Sequence, residues 1–389
     1  MGKQIQVGVV GSAVFAPRNP ERTSFEEALH AVTHAALRDA GIKIEDIDGI
    51  VVAGNDQLDG RAITIMMASG SVGGVSRDIL ATPSGSEHAF VLGALRVRSG
   101  LYRTQLVVSW SPLETDGIED VQRLSADPYY HRSLPLDDLS THALHAVALE
   151  AKVPGLREAA VTVTETNRRH GSQAHAEYAP APREKVNIEQ GKMLRYPITE
   201  GMVSAPAFAA VAMVLASDDW IAERQGLATA WIQGMGWATE LPWLGDRDLS
   251  TLPSLAAAVE QAYRESGTDL NKPDFDLAEV ADATPYQQLV AIEGLGLCQR
   301  EQLTQAVASG TFAKEGAMPV NLSGGAICFN PLFCTGLMSI NEVANQIRGK
   351  AGAHQRAGVK KAVAHGASGG AMQYNTVVVL GREARENVK

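Results

Sequence analysis

Four short stretches of this 389-residue chain place polar side chains where they could do chemistry. His365 ends the apolar run Ala362-Val-Ala and is followed at once by Gly366-Ala-Ser-Gly-Gly370. Ligands gather at strand ends in α/β folds, and an imidazole with an unperturbed pKa of about 6.5 suits acid or base work. A structural histidine is the alternative. Asn330 precedes Pro331 and lies between Cys328 and Cys334. Its amide could donate to a carbonyl oxygen, or it could start a turn, as Asn-Pro pairs do. Either flanking thiol could be a nucleophile, although a buried, inert cysteine is the commoner state. Asp282 and Tyr286, four residues apart after an apolar segment, could be amphipathic packing residues. Ser84 and Ser86 lie at a helix start, where capping is the stronger reading. A nucleophilic Ser84 would need a base, while the same helix N-terminus could hold an anion through its N–H groups. His88 follows a turn later, and a helix-face histidine is more often structural.

His131, His142 and His145 have no acidic or cysteine partners at ligand spacing, so no metal is expected. His142 and His145, at i and i+3, support only a weak metal hypothesis. The formal charge of −10 argues against a nucleic-acid surface, though not against a locally basic pocket for a small anion. Three cysteines without Cys-x-x-Cys spacing do not make a disulfide framework and fit a reducing cytoplasm. No apolar run approaches the roughly 18 residues of a membrane span.

The elements that must position these residues occur in two similar sets. Val7, Val9 and Val10 read as a buried strand ahead of Gly11. Ser24 and Glu27 have capping-box spacing, and Leu29, Val32, Ala36 and Leu37 share one helical face up to Gly41. An acidic turn, Ile44-Glu-Asp-Ile-Asp, then feeds the strand Ile50-Val-Val-Ala. About two hundred residues later the pattern returns: the helix Leu255–Tyr263, a stop at Gly267, then Asp274-Phe-Asp-Leu-Ala-Glu-Val280. This suggests internal duplication. After each copy comes a small-residue turn and a helix: Thr82-Pro-Ser-Gly-Ser86 before His88–Val97, and Asn321-Leu-Ser-Gly-Gly325 before Met338–Ile347. Gln105–Trp110, Ala362–His365 and Thr376–Leu380 read as further strands. The Pro-, charge- and His-bearing stretch 112–200 reads as an inserted loop-and-helix region.

These turns resemble those of the thiolase superfamily. Asn321-Leu-Ser-Gly-Gly-Ala through Asn330-Pro and Gly336 resembles its Asn-x-x-Gly-Gly-Ala…Gly-His-Pro…Gly segment. The stretch His365–Gly370 is similar to its C-terminal glycine loop, and Gly85–Gly100 to the helix behind its nucleophile. Asp282-Ala-Thr-Pro-Tyr286 through Cys298 resembles the sterol-carrier-type thiolases and the related steroid side-chain aldolases. The resemblance implies an α/β thiolase fold: two duplicated halves, 1–245 and 246–389, in a five-layered helix-sheet-helix-sheet-helix arrangement.

Thiolases need a cysteine thiolate, a histidine to activate it, oxyanion holes and a second acid/base. Here the nucleophile register falls on Pro83, with Ser84 beside it. The Gly-His-Pro histidine is matched by Asn330, the histidine before the aspartate by Ala281, and the C-terminal cysteine by Gly366 or Ala367. The resemblance therefore implies an acyl-CoA thioester as ligand, with Gly325, Gly369 and Gly370 lining it. No cofactor is implied beyond coenzyme A as part of the substrate. A retro-aldol cleavage without an acyl-cysteine fits, with Asn330, His365, Asp282, Ser84 and Tyr286 as candidate groups and Tyr374 as a substitute tyrosine. A non-catalytic acyl-CoA-binding or scaffold subunit, and acyl transfer by a relocated Cys or Ser, are the alternatives. A homodimer and a separate small zinc-ribbon/OB-fold acyl-CoA-binding subunit are the implied partners.

Overall fold

A computed structural model describes residues 5–17, 22–60, 62–83, 85–111, 121, 123, 126–134, 136–175 and 185–385. The strands are β1 Val7–Phe15, β2 Gly49–Ala53, β3 Asp78–Thr82, β4 Thr104–Trp110, β5 Met193–Arg195, β6 Ile198–Thr199, β7 Ala210–Ser217, β8 Ala230–Thr239, β9 Leu277–Glu279, β10 Lys361–Ser368 and β11 Tyr374–Gly381. Helices of eight or more residues are α1 Phe25–Ala40, α2 Thr64–Ser71, α3 Ser86–Arg98, α4 Asp138–Glu150, α5 Leu156–Ala174, α6 Pro253–Ser266, α7 Pro285–Gly294 and α8 Thr335–Arg348.

The duplication is visible in the strand order. Nine strands run β3-β2-β4-β7-β1-β8-β11-β10-β9. Outward from the β1/β8 junction, the first set is β1-β7-β4-β2-β3 and the second is β8-β11-β10-β9. Beyond β9 a single parallel bridge, Ala278 to Val320, stands where β3 stands in the first set. The hydrogen-bond sense also repeats. β7 is antiparallel to β1 and β4, as β11 is to β8 and β10. β2 is parallel to β4, as β9 is to β10. The sets join through two antiparallel residue pairs, Gly8–Trp231 and Val9–Ala230.

Three cores separate the layers. One packs α1 against the outer face of the first set through Leu29, Val32, Ile50 and Leu106. A middle core holds α3 and α8 between the inner faces, with Phe90, Ala94, Leu337 and Ile340 meeting Val107 and Val378. The third packs α4 to α7 on the outer face of the second set. This is the α-β-α-β-α stack of the thiolase fold.

Local chemistry sets the boundaries. Ser24 Oγ accepts from Glu27 N while Glu27 accepts from Ser24 N, completing the capping box. Gly41 and Gly267 end the paired helices α1 and α6 in left-handed conformation, φ 68° and 67°. β1 runs through Gly11 rather than stopping there, with a register shift at Val9/Gly11. A Cβ at Gly11 would lie 2.5 Å from the Ala36 carbonyl, so α1 packs this closely only over glycine. β10 likewise continues to Ser368, so the turn expected from Gly366 begins later. No helix among the described residues is long and apolar enough to cross a membrane.

Candidate active site

The loops after β9 and β10, the start of α3 and the segment 323–342 converge on one large open cleft, at the C-terminal ends of β9 and β10. Asp282, Gly325, Asn330, His365, Gly369, Gly370 and Tyr374 all line it. Tyr286 does not. Ser84 lies outside the described residues, between the cleft-lining Pro83 and Gly85.

Asp282 follows β9 in the loop that Thr284 closes by capping α7, its hydroxyl accepting from Gln287 N. The carboxylate is almost wholly buried, at 2% exposure. Oδ1 accepts from Ala326 N at 2.7 Å, and Oδ2 accepts from Asn167 Nδ2 at 2.8 Å and from Ile327 N at 3.5 Å. Burial raises its pKa to about 7, against the lowering effect of those donors. Gly325 is required here, because a Cβ would run into the Asp282 carboxylate and φ is +60°. Asn167 also donates to Gln288, and Asn321 joins the same network.

His365 is buried in mid-sheet. Asn375 Nδ2 donates to Ser254 Oγ and to the Met372 carbonyl, both at 2.8 Å. Its Oδ1 is therefore left to accept from His365 Nε2 at 2.9 Å. This assigns the proton to Nε2. Nδ1 is then a lone pair, buried without a protein partner. Burial lowers the pKa to about 4, against a smaller raising effect of Asn375, so the ring is neutral.

Asn330 forms the turn and borders the cleft. Its Oδ1 accepts from Leu332 N at 3.2 Å across Pro331, forming the turn, while Nδ2 makes no hydrogen bond among the described residues and has donor capacity at the cleft. Gly369 and Gly370 form the outer wall, held by Arg247, which donates to the carbonyls of Gly370 and Ala371.

Three other sequence candidates lie away from the cleft. Tyr286 is fully buried and donates to Glu150 Oε1 at 2.6 Å; burial first, then Glu150, raises its pKa. Cys328 donates to the Asn167 carbonyl, and burial pushes its thiol up to about 12. Cys334 is fully buried, and burial also raises its pKa. Neither sulfur is poised as a thiolate. His142 lines the cleft and lies 3.0 Å from Gln287 Nε2, with burial lowering its pKa to about 4. Neither His142 nor His145 joins a three-donor group among the described residues.

Sequence reasoning missed Glu87. It stands in the first turn of α3 at 1% exposure, lines the cleft, and accepts from Ser368 Oγ at 3.1 Å. Three glycines make its room: a Cβ at Gly85, Gly336 or Gly366 would contact the Glu87 side chain. Ser86 Oγ meanwhile accepts from Leu337 N, tying the starts of α3 and α8 together. In sequence, Glu87 looks like an ordinary first-turn acid favoured by the helix dipole.

This fold and cleft define a thiolase-fold protein, and the comparisons agree. Residues 240–382 match the family described as "Thiolase C-terminal domain-like". An acetyl-CoA acetyltransferase of Methanothermobacter thermautotrophicus is 25% identical over 363 residues, covering 89% of this chain and 92% of that protein. Human sterol carrier protein 2 is 37% identical over 109 residues, 28% of this chain and only 20% of that protein's length. Among solved structures, the Ltp2-ChsH2(DUF35) aldolase superposes with a TM-score of 0.80 at 17% identity, over 97% of both chains. The chain therefore has the thiolase fold, and its C-terminal part, residues 240–382, is thiolase-like in sequence.

Proposed function

We propose that this acyl-CoA-related thiolase-fold protein cleaves a carbon–carbon bond of a 3-hydroxyacyl-CoA by a retro-aldol reaction, without an acyl-cysteine intermediate. One observation carries the reading: a buried carboxyl with a pKa of about 7, Asp282, borders a cleft whose described lining contains no thiol. A carboxyl tuned to that value can take and return a proton near neutrality. Asp282 removes the proton of the 3-hydroxyl, the C2–C3 bond breaks, and its electron pair passes into the thioester enolate. Asn330 Nδ2 donates to the enolate oxygen. C2 then recovers the proton from Asp282, releasing a shortened acyl-CoA and an aldehyde or ketone. In this reading the Nδ1 lone pair of neutral His365 orients the hydroxyl; its place in the cleft lining supports that role.

The lining also bears on partners. Among the described residues it carries seven carboxylates (Glu87, Asp127, Asp137, Asp138, Glu200, Asp282 and Glu342) against two guanidinium groups, Arg168 and Arg195. Arg195 is paired with Asp137, and Arg168 donates to two carbonyls. Such a wall suits the acyl end of the ester better than the polyphosphate of its nucleotide. A separate small zinc-ribbon/OB-fold subunit holding the CoA moiety is consistent with this. A homodimer is supported by the exposed edge strand β3 and the neighbouring Met66 and Met67, 68% and 48% exposed.

A second reading, a non-catalytic acyl-CoA-binding scaffold, draws on the same carboxyl, because both Asp282 oxygens are already engaged by protein donors. The test is to give the purified protein, alone and with a co-encoded small partner, 3-hydroxyacyl-CoA and 3-ketoacyl-CoA esters. Release of aldehyde or ketone that survives thiol alkylation supports the aldolase. CoA-dependent cleavage abolished by alkylation refutes it, and tight binding without turnover supports the scaffold.

A further inference from the structure

Beside another part of the cleft, three side chains, two of them in its wall, form a cluster that the proposed reaction does not use. Glu342, in mid-α8, is buried, and each of its oxygens faces an imidazole. Oε2 is 2.9 Å from His354 Nε2, and Oε1 is 3.3 Å from His175 Nε2. One donor atom from each residue lies within 4.8 Å of the others, and among the described residues this is the group of three or more His, Cys, Asp or Glu donors so arranged. His354 is 5% exposed. The His175 side chain is 18% exposed and, with Glu342, lines the cleft.

We propose that His175, Glu342 and His354 form a binding site for a divalent transition-metal ion of the zinc class, with the remaining position turned to the cleft. Two imidazoles and one carboxylate are a zinc donor set that leaves a coordination position open. Donors about 2.0–2.2 Å from a tetrahedral ion stand roughly 3.4 Å apart. The two Glu342–imidazole contacts, 2.9 and 3.3 Å, are close to that spacing, and one donor atom from each residue lies within 4.8 Å of the others. The backbone already fixes the three donors. His175 caps α5, its N–H donating to the Gly171 carbonyl at 2.8 Å. His354 ends the 3-10 turn Gly352–His354, whose carbonyl accepts from Gln346 Nε2 on α8 at 2.9 Å. An ion at this point joins the end of α5 to α8 and faces whatever fills the cleft. The opposing account is a metal-free ion pair in which histidinium neutralises Glu342. The inference departs from the sequence expectation of no metal, and it does not depend on the retro-aldol reading.

The full, untagged chain is stripped with EDTA, desalted, and titrated with ZnSO4 by calorimetry and with CoCl2 by visible absorption. One zinc per chain is expected, with cobalt giving the bands of a four-coordinate ion. His175→Ala and His354→Ala should each weaken zinc binding at least about tenfold. Cys298→Ser, which removes the partly exposed thiol, should leave it unchanged. Absence of zinc uptake, uptake that survives both histidine substitutions, or uptake lost with Cys298 overturns the proposal. Should His354→Ala fail to fold, His175→Ala decides, since that side chain lies at a helix end beside the cleft.

Discussion

A Cβ at Gly366 would lie 3.0 Å from both Cβ and Cγ of Glu87. The two positions therefore compete for space: beside Glu87, a side chain at 366, cysteine included, fits only if its neighbours give by a few tenths of an ångström. The cysteine that the family resemblance leads one to expect near 366 is absent where Glu87 fills the space.

Gly366→Ala should consequently destabilise the protein by about 1–3 kcal/mol through overpacking. Glu87→Gly in the same chain should recover part of that loss, leaving the 3.1 Å approach to Gly336 Cα as the remainder. A double-mutant cycle of denaturant midpoints should give a coupling of at least about 0.5 kcal/mol. Additive effects would mean that Glu87 has another rotamer available.

Asp282 also links stability to pH. Its folded pKa, about 7, lies above the ordinary 3.8, and that of Glu279 is about 8 against 4.5, in both cases through burial first. For a raised carboxyl, the folded state keeps a proton that the unfolded chain releases. The stabilisation is full below about pH 4 and is lost as pH rises to about 7 or 8, on the order of 1.4 kcal/mol per pKa unit. Between about pH 4 and 6.5 the buried histidines His142 and His365, held neutral, contribute the opposite trend. The net fall in melting temperature should therefore come above about pH 6.5, and Asp282→Asn should flatten it. The proposed reaction runs the other way: turnover should rise through about pH 7 as the carboxylate forms, and Asp282→Asn should lower it by about 10²–10⁴-fold. Rate and melting profiles measured on the same samples check both.

The fold was legible because its signals are local. The capping box at Ser24/Glu27, the glycine stops at Gly41 and Gly267, and the apolar runs of β2, β4 and β11 each lie within about ten residues of sequence. His365 is legible because turns after strands are where α/β folds keep ligands, whereas Asn330 and Asp282 stand out through the resemblance to the thiolase superfamily. Glu87 could not, because its space is made by glycines at 85, 336 and 366, which meet only in the folded chain. The same holds for His175, Glu342 and His354, whose donors come from three separate segments. Tyr286 misled for the opposite reason: four residues from Asp282, it points from α7 into the outer core.

Tyr286→Phe should therefore leave turnover unchanged while costing about 1–2 kcal/mol for the lost bond to Glu150. Glu150 keeps its pair with Arg157, which limits the damage. Urea unfolding alongside steady-state rates checks this, and a large fall in turnover would return Tyr286 to the reaction.

The exposed edge β3 gives a prediction about assembly. Leu80 is 41% exposed there, beside Met66 and Met67. Leu80→Asp should convert the proposed dimer to monomer in light scattering after size exclusion, because a charge on an edge strand blocks pairing with a second copy. A dimer that persists places the interface elsewhere.

Asn330 allows turn formation and catalysis to be separated with a single atom. Its Oδ1 holds the turn by accepting from Leu332 N, and its Nδ2 is the donor proposed for the enolate oxygen. Asn330→Asp keeps an acceptor for Leu332 but replaces the donor with an oxygen, so the melting temperature should hardly change. Turnover should fall by about 10²–10³-fold, the usual loss for one oxyanion donor. Asn330→Ala removes both functions and should lose stability as well as rate. If the aspartate variant turns over like the parent, Asn330 is a turn residue, and the enolate oxygen must be held by another donor of the cleft.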